Sequence, residues 1–160
     1  MPADRTDPAD VGSGDTGSSS WINALPRGKI GRDELTSDSA GTTSTEVILE
    51  DTIVVSSDGR EIDIDASVCV RSDIDGGAQA AIIFDGDQVD RKNNDSVNAG
   101  KDISWSLFAQ VQPAAGTYVV QVITGVSGTA GNTVTAKANG KTGSHGTCKF
   151  RVVDQGPALS

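Results

Sequence analysis

The sequence predicts an all-β protein: an antiparallel β-sandwich carried behind an extended N-terminal arm. Three observations predict it. Short β-branched or alternating apolar runs recur along the chain from Thr52 onward, with Gly-, Asn- and Asp-containing turn signals between them. No stretch beyond the arm repeats its apolar residues with helical period. Residues 1–20, MPADRTDPADVGSGDTGSSS, are mostly Pro, Gly, Ser, Thr and Asp and carry too little apolar surface to build a core.

In chain order, the arm comes first and is assigned to residues 1–43. It carries Asp4, Asp7, Asp10 and Asp15 against the single Arg5. Trp21, Ile22 and Leu25 are its first large apolar side chains, and Pro26 stops any helical turn they begin. Residues 27–33, RGKIGRD, form a basic island, and residues 34–45 return to Ser, Thr and Gly. Trp21, Ile22, Leu25, Arg27 and Ile30 are therefore the candidate partner-docking residues. Trp is a favoured anchor in protein interfaces, although Trp21 could equally pack on its own domain.

The body is assigned to residues 44–160. A β-branched run at 52–56 meets the turn Ser57-Asp58-Gly59-Arg60. Residues 61–71 follow with period-2 alternation: Ile62, Ile64, Ala66, Val68 and Val70 share one face, and mostly polar residues share the other. Residues 80–84 are continuously apolar and end at the turn Asp85-Gly86-Asp87. Ile103, Trp105, Leu107, Ala109 and Val111 alternate with Ser104, Ser106, Phe108 and Gln110. After the break at 112–116, strands are expected at 117–124, 133–138 and 147–153, with Asn139-Gly140 as a hairpin signal. The count is about eight strands, with the spacing of a sandwich or barrel.

A chain of 160 residues with 36% hydrophobic and 4% aromatic content has a thin core of Val, Ile and Ala, which neighbouring subunits would help to complete. The net charge of -9 argues against nucleic acid and against an anionic membrane surface, because both need clustered Lys and Arg. No apolar run is long enough to span a bilayer, and no signal pattern opens the chain. Two cysteines, Cys69 and Cys148, are too few for a disulfide scaffold.

The residues that could carry chemistry have simpler readings. The one histidine, His145, lies in Gly143-Ser144-His145-Gly146 with no nucleophile-and-acid pattern around it. Cys69 shares parity with polar residues and Cys148 with Phe150 and Val152, so free thiols are favoured over a pair, unless a bulge brings the two together. No Cys-x-x-Cys spacing suggests zinc. Asp73, Asp75, Asp85 and Asp87 sit in Gly-containing loops suited to calcium, but Asp and Gly are also ordinary turn formers, and no metal or cofactor is expected. Trp105 is expected in the core. Phe108, a ring on an otherwise polar face, is the candidate subunit contact.

Two short segments carry a resemblance. Pro26-Arg27-Gly28-Lys29-Ile30-Gly31 opens a Thr/Ser-rich lead-in to Glu46-Val47, and Val152-Val153-Asp154-Gln155-Gly156-Pro157-Ala158 closes the chain. Together they resemble small virion proteins of tailed phages infecting actinobacteria, of the minor tail, head decoration or fibre type. The similarity spans about residues 26–158, with its specific residues confined to the two ends. It implies a jelly-roll-like sandwich, a trimeric homo-oligomer mounted on other proteins of the tail or capsid surface, assembled in the host cytoplasm. It implies no catalytic residue.

Three functions follow as expectations. The first is a virion structural protein attached through residues 1–33. The second is a receptor- or carbohydrate-binding module at a tail tip, using Tyr118, Trp105 and the Asp loops on a host surface glycan. The third, a small hydrolase built on a carboxylate pair such as Asp63 and Asp65, is less well served, because a solvated strand face explains that pair.

Overall fold

The computed structural model describes residues 27–128, 130–138 and 147–158. Among them are nine strands and no helix: β1 (Gly28–Glu34), β2 (Thr45–Val55), β3 (Arg60–Ser72), β4 (Gly76–Phe84), β5 (Asp87–Val97), β6 (Asp102–Val111), β7 (Gly116–Ser127), β8 (Val134–Ala136) and β9 (Lys149–Pro157). All pairings are antiparallel. The first sheet runs β1-β9-β3-β6, with β8 also on β3, and the second runs β2-β7-β4-β5. With the short β8 set aside, the remaining strands are divided between two four-stranded sheets as in a double-sheet jelly roll.

The alternation predicted for 61–71 sets the core. Ile62, Ile64, Val68 and Val70 on the inner face of β3 have no exposed surface. They meet Leu49, Ile53, Ile82, Val120 and Val122 of the facing sheet, so Val, Ile and Leu rather than rings fill the sandwich. Trp105 is half-buried against this cluster. Phe84 stacks on Tyr118 with ring centroids 5.0 Å apart.

Each end of the β3 inner face is closed by a buried polar contact. At one end Arg60 Nε meets Asp154 Oδ2 at 2.6 Å, with both side chains essentially inaccessible. Asp154 also accepts a bond from the Gly156 backbone N–H at 2.9 Å, bridging the β-bulge at that end of β9. At the other end Ser72 Oγ donates to Asn132 Oδ1 at 2.6 Å, and Asn132 Nδ2 donates to the Gly77 carbonyl at 3.0 Å.

Two elements depart from the sequence reading. The body does not begin near Ser44: β1, placed there in the arm, is a strand of the first sheet, with Gly28 opposite Asp154 and Glu34 opposite Lys149. Its pattern was hidden by a bulge at Ile30, which breaks the period-2 phase. β5 was missed as well, because DQVDRKNNDSV is almost wholly polar and exposed. It forms because Asp85 (φ 49°) and Gly86 (φ 91°) make a two-residue loop with positive φ at both positions, which returns the chain along β4.

Candidate interaction surface

Trp21, Ile22 and Leu25 lie outside the described residues, as do His145 and the Asn139-Gly140 signal. Arg27 is exposed at the foot of β1. Ile30, expected to dock a partner, lies in β1 and is half-buried against the core of the body. Phe108 stands 54% exposed on the outer face of β6, as alternation with the buried Leu107 and Ala109 requires.

The outer face of the first sheet is built by register. Arg32 of β1 lies opposite Arg151 of β9, Arg151 opposite Asp65 of β3, and Asp65 opposite Phe108 of β6. One step along, Glu34, Lys149, Ser67 and Ser106 form the next row. Apart from Phe108, these residues line a shallow depression of about 880 Å³, which Lys29 and Asp33 also border. Within it Arg151 Nε pairs with Asp65 Oδ2 at 3.0 Å. Among the described residues, Lys29, Arg32 and Lys149 have no carboxylate in ion-pair reach. The β1 and β9 side of the depression thus mixes Lys29, Arg32, Lys149 and Arg151 with Asp33 and Glu34, while its β3 and β6 side offers the hydroxyls of Ser67 and Ser106. In a chain with 22 acidic residues against 13 basic ones, the depression gathers four cations, but beside the carboxylates of Asp33, Glu34 and Asp65.

The remaining candidates have structural roles. Asp73 Oδ1 accepts the Thr133 backbone N–H at 2.6 Å, which holds its carboxyl below the usual carboxylate range. Asp75 Oδ1 accepts from the Ala99 N–H at 2.7 Å. Both therefore tie loops together, and among the described residues no cluster of three or more His, Cys, Asp or Glu is placed to hold a metal ion. Asp63 accepts from Gln110 and Gln155 at 2.9 and 2.8 Å, and Asp65 faces Arg151, so this carboxylate pair is occupied. Tyr118 stacks on Phe84, and its hydroxyl donates to the Ala114 carbonyl at 2.9 Å.

Both thiols are free and fully buried. β8 and β9 pair along the same edge of β3 and leave a gap between Ser67 and Val70. Cys148 fills it: Sγ accepts from the Cys69 N–H at 3.1 Å and donates to the Cys69 carbonyl at 3.2 Å. Burial pushes both thiols above their ordinary range. The thiols are free as expected, but strand parity put Cys69 on the wet face, whereas the structure buries it with Cys148 in the core cluster, the sulfur of one serving the backbone of the other.

No protein-family model matches the chain, and no curated protein sequence matches it. Solved structures do. Part of latent PorU from Porphyromonas gingivalis superposes with a TM-score of 0.50 and 11% identity, over 84% of this chain. This chain spans only 13% of that one. The carbohydrate-binding module CBM36, solved with calcium and xylotriose, gives a TM-score of 0.40 and 13% identity, over 77% of this chain and 99% of its own. A chain from the structure of infectious bursal disease virus, Gt strain, gives 0.42 and 14%, over 82% of this chain and 38% of its own. At such identities the likeness is one of fold.

Proposed function

We propose that this chain is a structural protein of a phage particle, a minor tail or decoration protein. It attaches through the segment preceding β1 and displays the jelly roll as a trimer. One observation carries the reading. The two segments that resemble the phage proteins come from opposite ends of the chain, yet they are hydrogen-bonded neighbours: Gly28 lies opposite Asp154, Lys29 opposite Val153 and Gly31 opposite Val152. They make one device, an edge ladder that fixes the root of the N-terminal segment to the body. Gly31 is required there because a Cβ at that position would lie 2.6 Å from Ile53 Cγ2, where the edges of the two sheets meet. The segment before the ladder would bind a partner surface, gaining contacts there. Threefold repetition would add avidity.

For the glycan reading, Tyr118 and Trp105 are only half-exposed, each partly engaged in packing. Deleting residues 1–25 should leave a folded body that no longer joins particles, scored by immunoblot of gradient-purified virions from complemented infections. Undiminished incorporation of the truncated chain would overturn the proposal.

A further inference from the structure

We infer that the outer face of the second sheet is where a second copy of this chain packs. The two inner strands of that sheet carry apolar residues on both faces. Residues 80–84 of β4 are apolar throughout, and residues 118–123 of β7 are apolar apart from Gln121, whereas β3 alternates apolar with polar. Such runs belong to strands covered on both sides. One side is accounted for, since Ile82, Val120 and Val122 face the core with no exposed surface. The other side carries Ala81, Ile83, Val119 and Ile123, of which the last three remain part-exposed. Register adds the valines of β2. Val47 lies opposite Ile123, and Ile123 opposite Ala81. Thr52 lies opposite Val119, with Val54 next along the same face. Val47 is 50% exposed and Val54 64%, two of the four exposed large hydrophobics among the described residues.

Charge and area point to the occupant. A chain of net charge -9 repels its own copies, so copies meet most easily where carboxylates are few and already held. The charged residues of this face stand on its two edge strands. Gln121 Nε2 donates to Glu50 Oε2 at 2.6 Å, Ser127 Oγ donates to Asp95 Oδ1 at 2.6 Å, and Arg91 lies opposite Ala81 on β5. The outer face of the first sheet instead sets Glu34, Asp63 and Asp65 among its cations. The four strands of the second sheet are 9 to 12 residues long. At about 3.3 Å per residue and ~4.8 Å between strands they cover roughly 600 Å². Packed on an equal area of a second copy, the face buries roughly 1,200 Å² in all, the lower end of what stable contacts bury. Pleated apolar faces stack in this way about 10 Å apart, with side chains interleaved. The contact names the surface that joins copies in the proposed trimer and rests on that reading only for the number of copies. A chain that joined no phage particle would still associate through it.

Light scattering of the full chain over a dilution series tests it, with far-ultraviolet circular dichroism as the check on folding. The mass should fall toward one copy on dilution. Association should be at least about threefold tighter at about 500 mM salt than at about 20 mM, because screening removes the repulsion between acidic copies. A contact built on ion pairs moves the other way, and association that weakens with salt would overturn the inference. Val47→Asn with Val54→Asn should weaken association at least about tenfold while the circular dichroism is unchanged. Methyl NMR gives a second reading: the signals of Ile83 and Ile123 should move with protein concentration, while those of Ile62 and Ile64 stay in place. A mass of one copy at every concentration would overturn the inference, as would a valine variant that associates like the native chain. Loss of the oligomer in Phe108→Asp, with none in the valine variant, would overturn it by assigning the contact to the edge at β6. Ile83 and Ile123 signals that stay fixed while the mass rises would do the same by assigning it to another surface.

Discussion

Arg60 illustrates how much a single side chain decides. In the sequence it closes a turn signal; in the structure it is an inward-facing cation with no exposed surface, held by Asp154. Removing one partner of a buried pair strands the other charge, so Arg60→Met should cost about 3–5 kcal/mol in urea unfolding. Adding Asp154→Asn should recover part of that loss, because an amide leaves no bare charge behind. The buried thiols make a second case. Their raised pKa means that the folded state holds its protons where the unfolded chain has begun to lose them. Folding stability is therefore complete below the ordinary thiol range and falls as pH rises through it toward the folded value. Cys148→Ser keeps a donor and an acceptor at the Cys69 backbone but does not titrate there. It should flatten the alkaline side of a stability-against-pH curve measured by denaturant titration.

At the level of elements, strands with one wet face and one apolar face were legible because side-chain parity is a local property. β3 and β6 announce themselves through Ile62 to Val70 and Leu107 to Ala109. β1 and β5 do not. β1 has one large apolar side chain, Ile30, and a bulge at the same place, and β5 faces solvent along most of its length. Each is a strand because a neighbour offers a ladder of backbone donors and acceptors, which is a property of β9 and β4 and not of its own sequence. The domain boundary tests this directly. A chain beginning at Arg27 should melt close to the full-length protein. One beginning at Ser44 loses β1 and uncovers the edge of β9, and should melt roughly 10 °C or more lower in calorimetry.

For the whole molecule, the proposed trimer needs a surface that a second chain would cover. Phe108 is 54% exposed and sits in the same row as Asp65 and Arg151, at the edge strand of the first sheet. If the body trimerises through that edge, Phe108→Asp should reduce the mass seen by light scattering from three chains to one without changing the far-ultraviolet circular dichroism. An unchanged oligomer would move the contact to another surface, where Val47 and Val54 of β2 are also exposed. The candidate surface was only partly readable in advance. RGKIGRD was visible as a basic island, but Lys149 and Arg151, at the other end of the chain, gave no sign that they would stand beside it.

The sequence by itself determined that the chain is all-β, that its core is made of small and branched aliphatics, and that its first twenty residues are acidic and polar. Those properties follow from composition and from period-2 alternation, both of which act over a few neighbouring residues. Only the tertiary structure decided that the basic island is a strand, that it pairs with the closing segment, and that four cations from the two ends of the chain form one face. It also placed one sulfur where a strand partner would otherwise be and buried an arginine at the end of the core. The reason is physical: pairing across a sheet joins residues by register rather than by sequence distance, and register is set by the whole roll closing on itself.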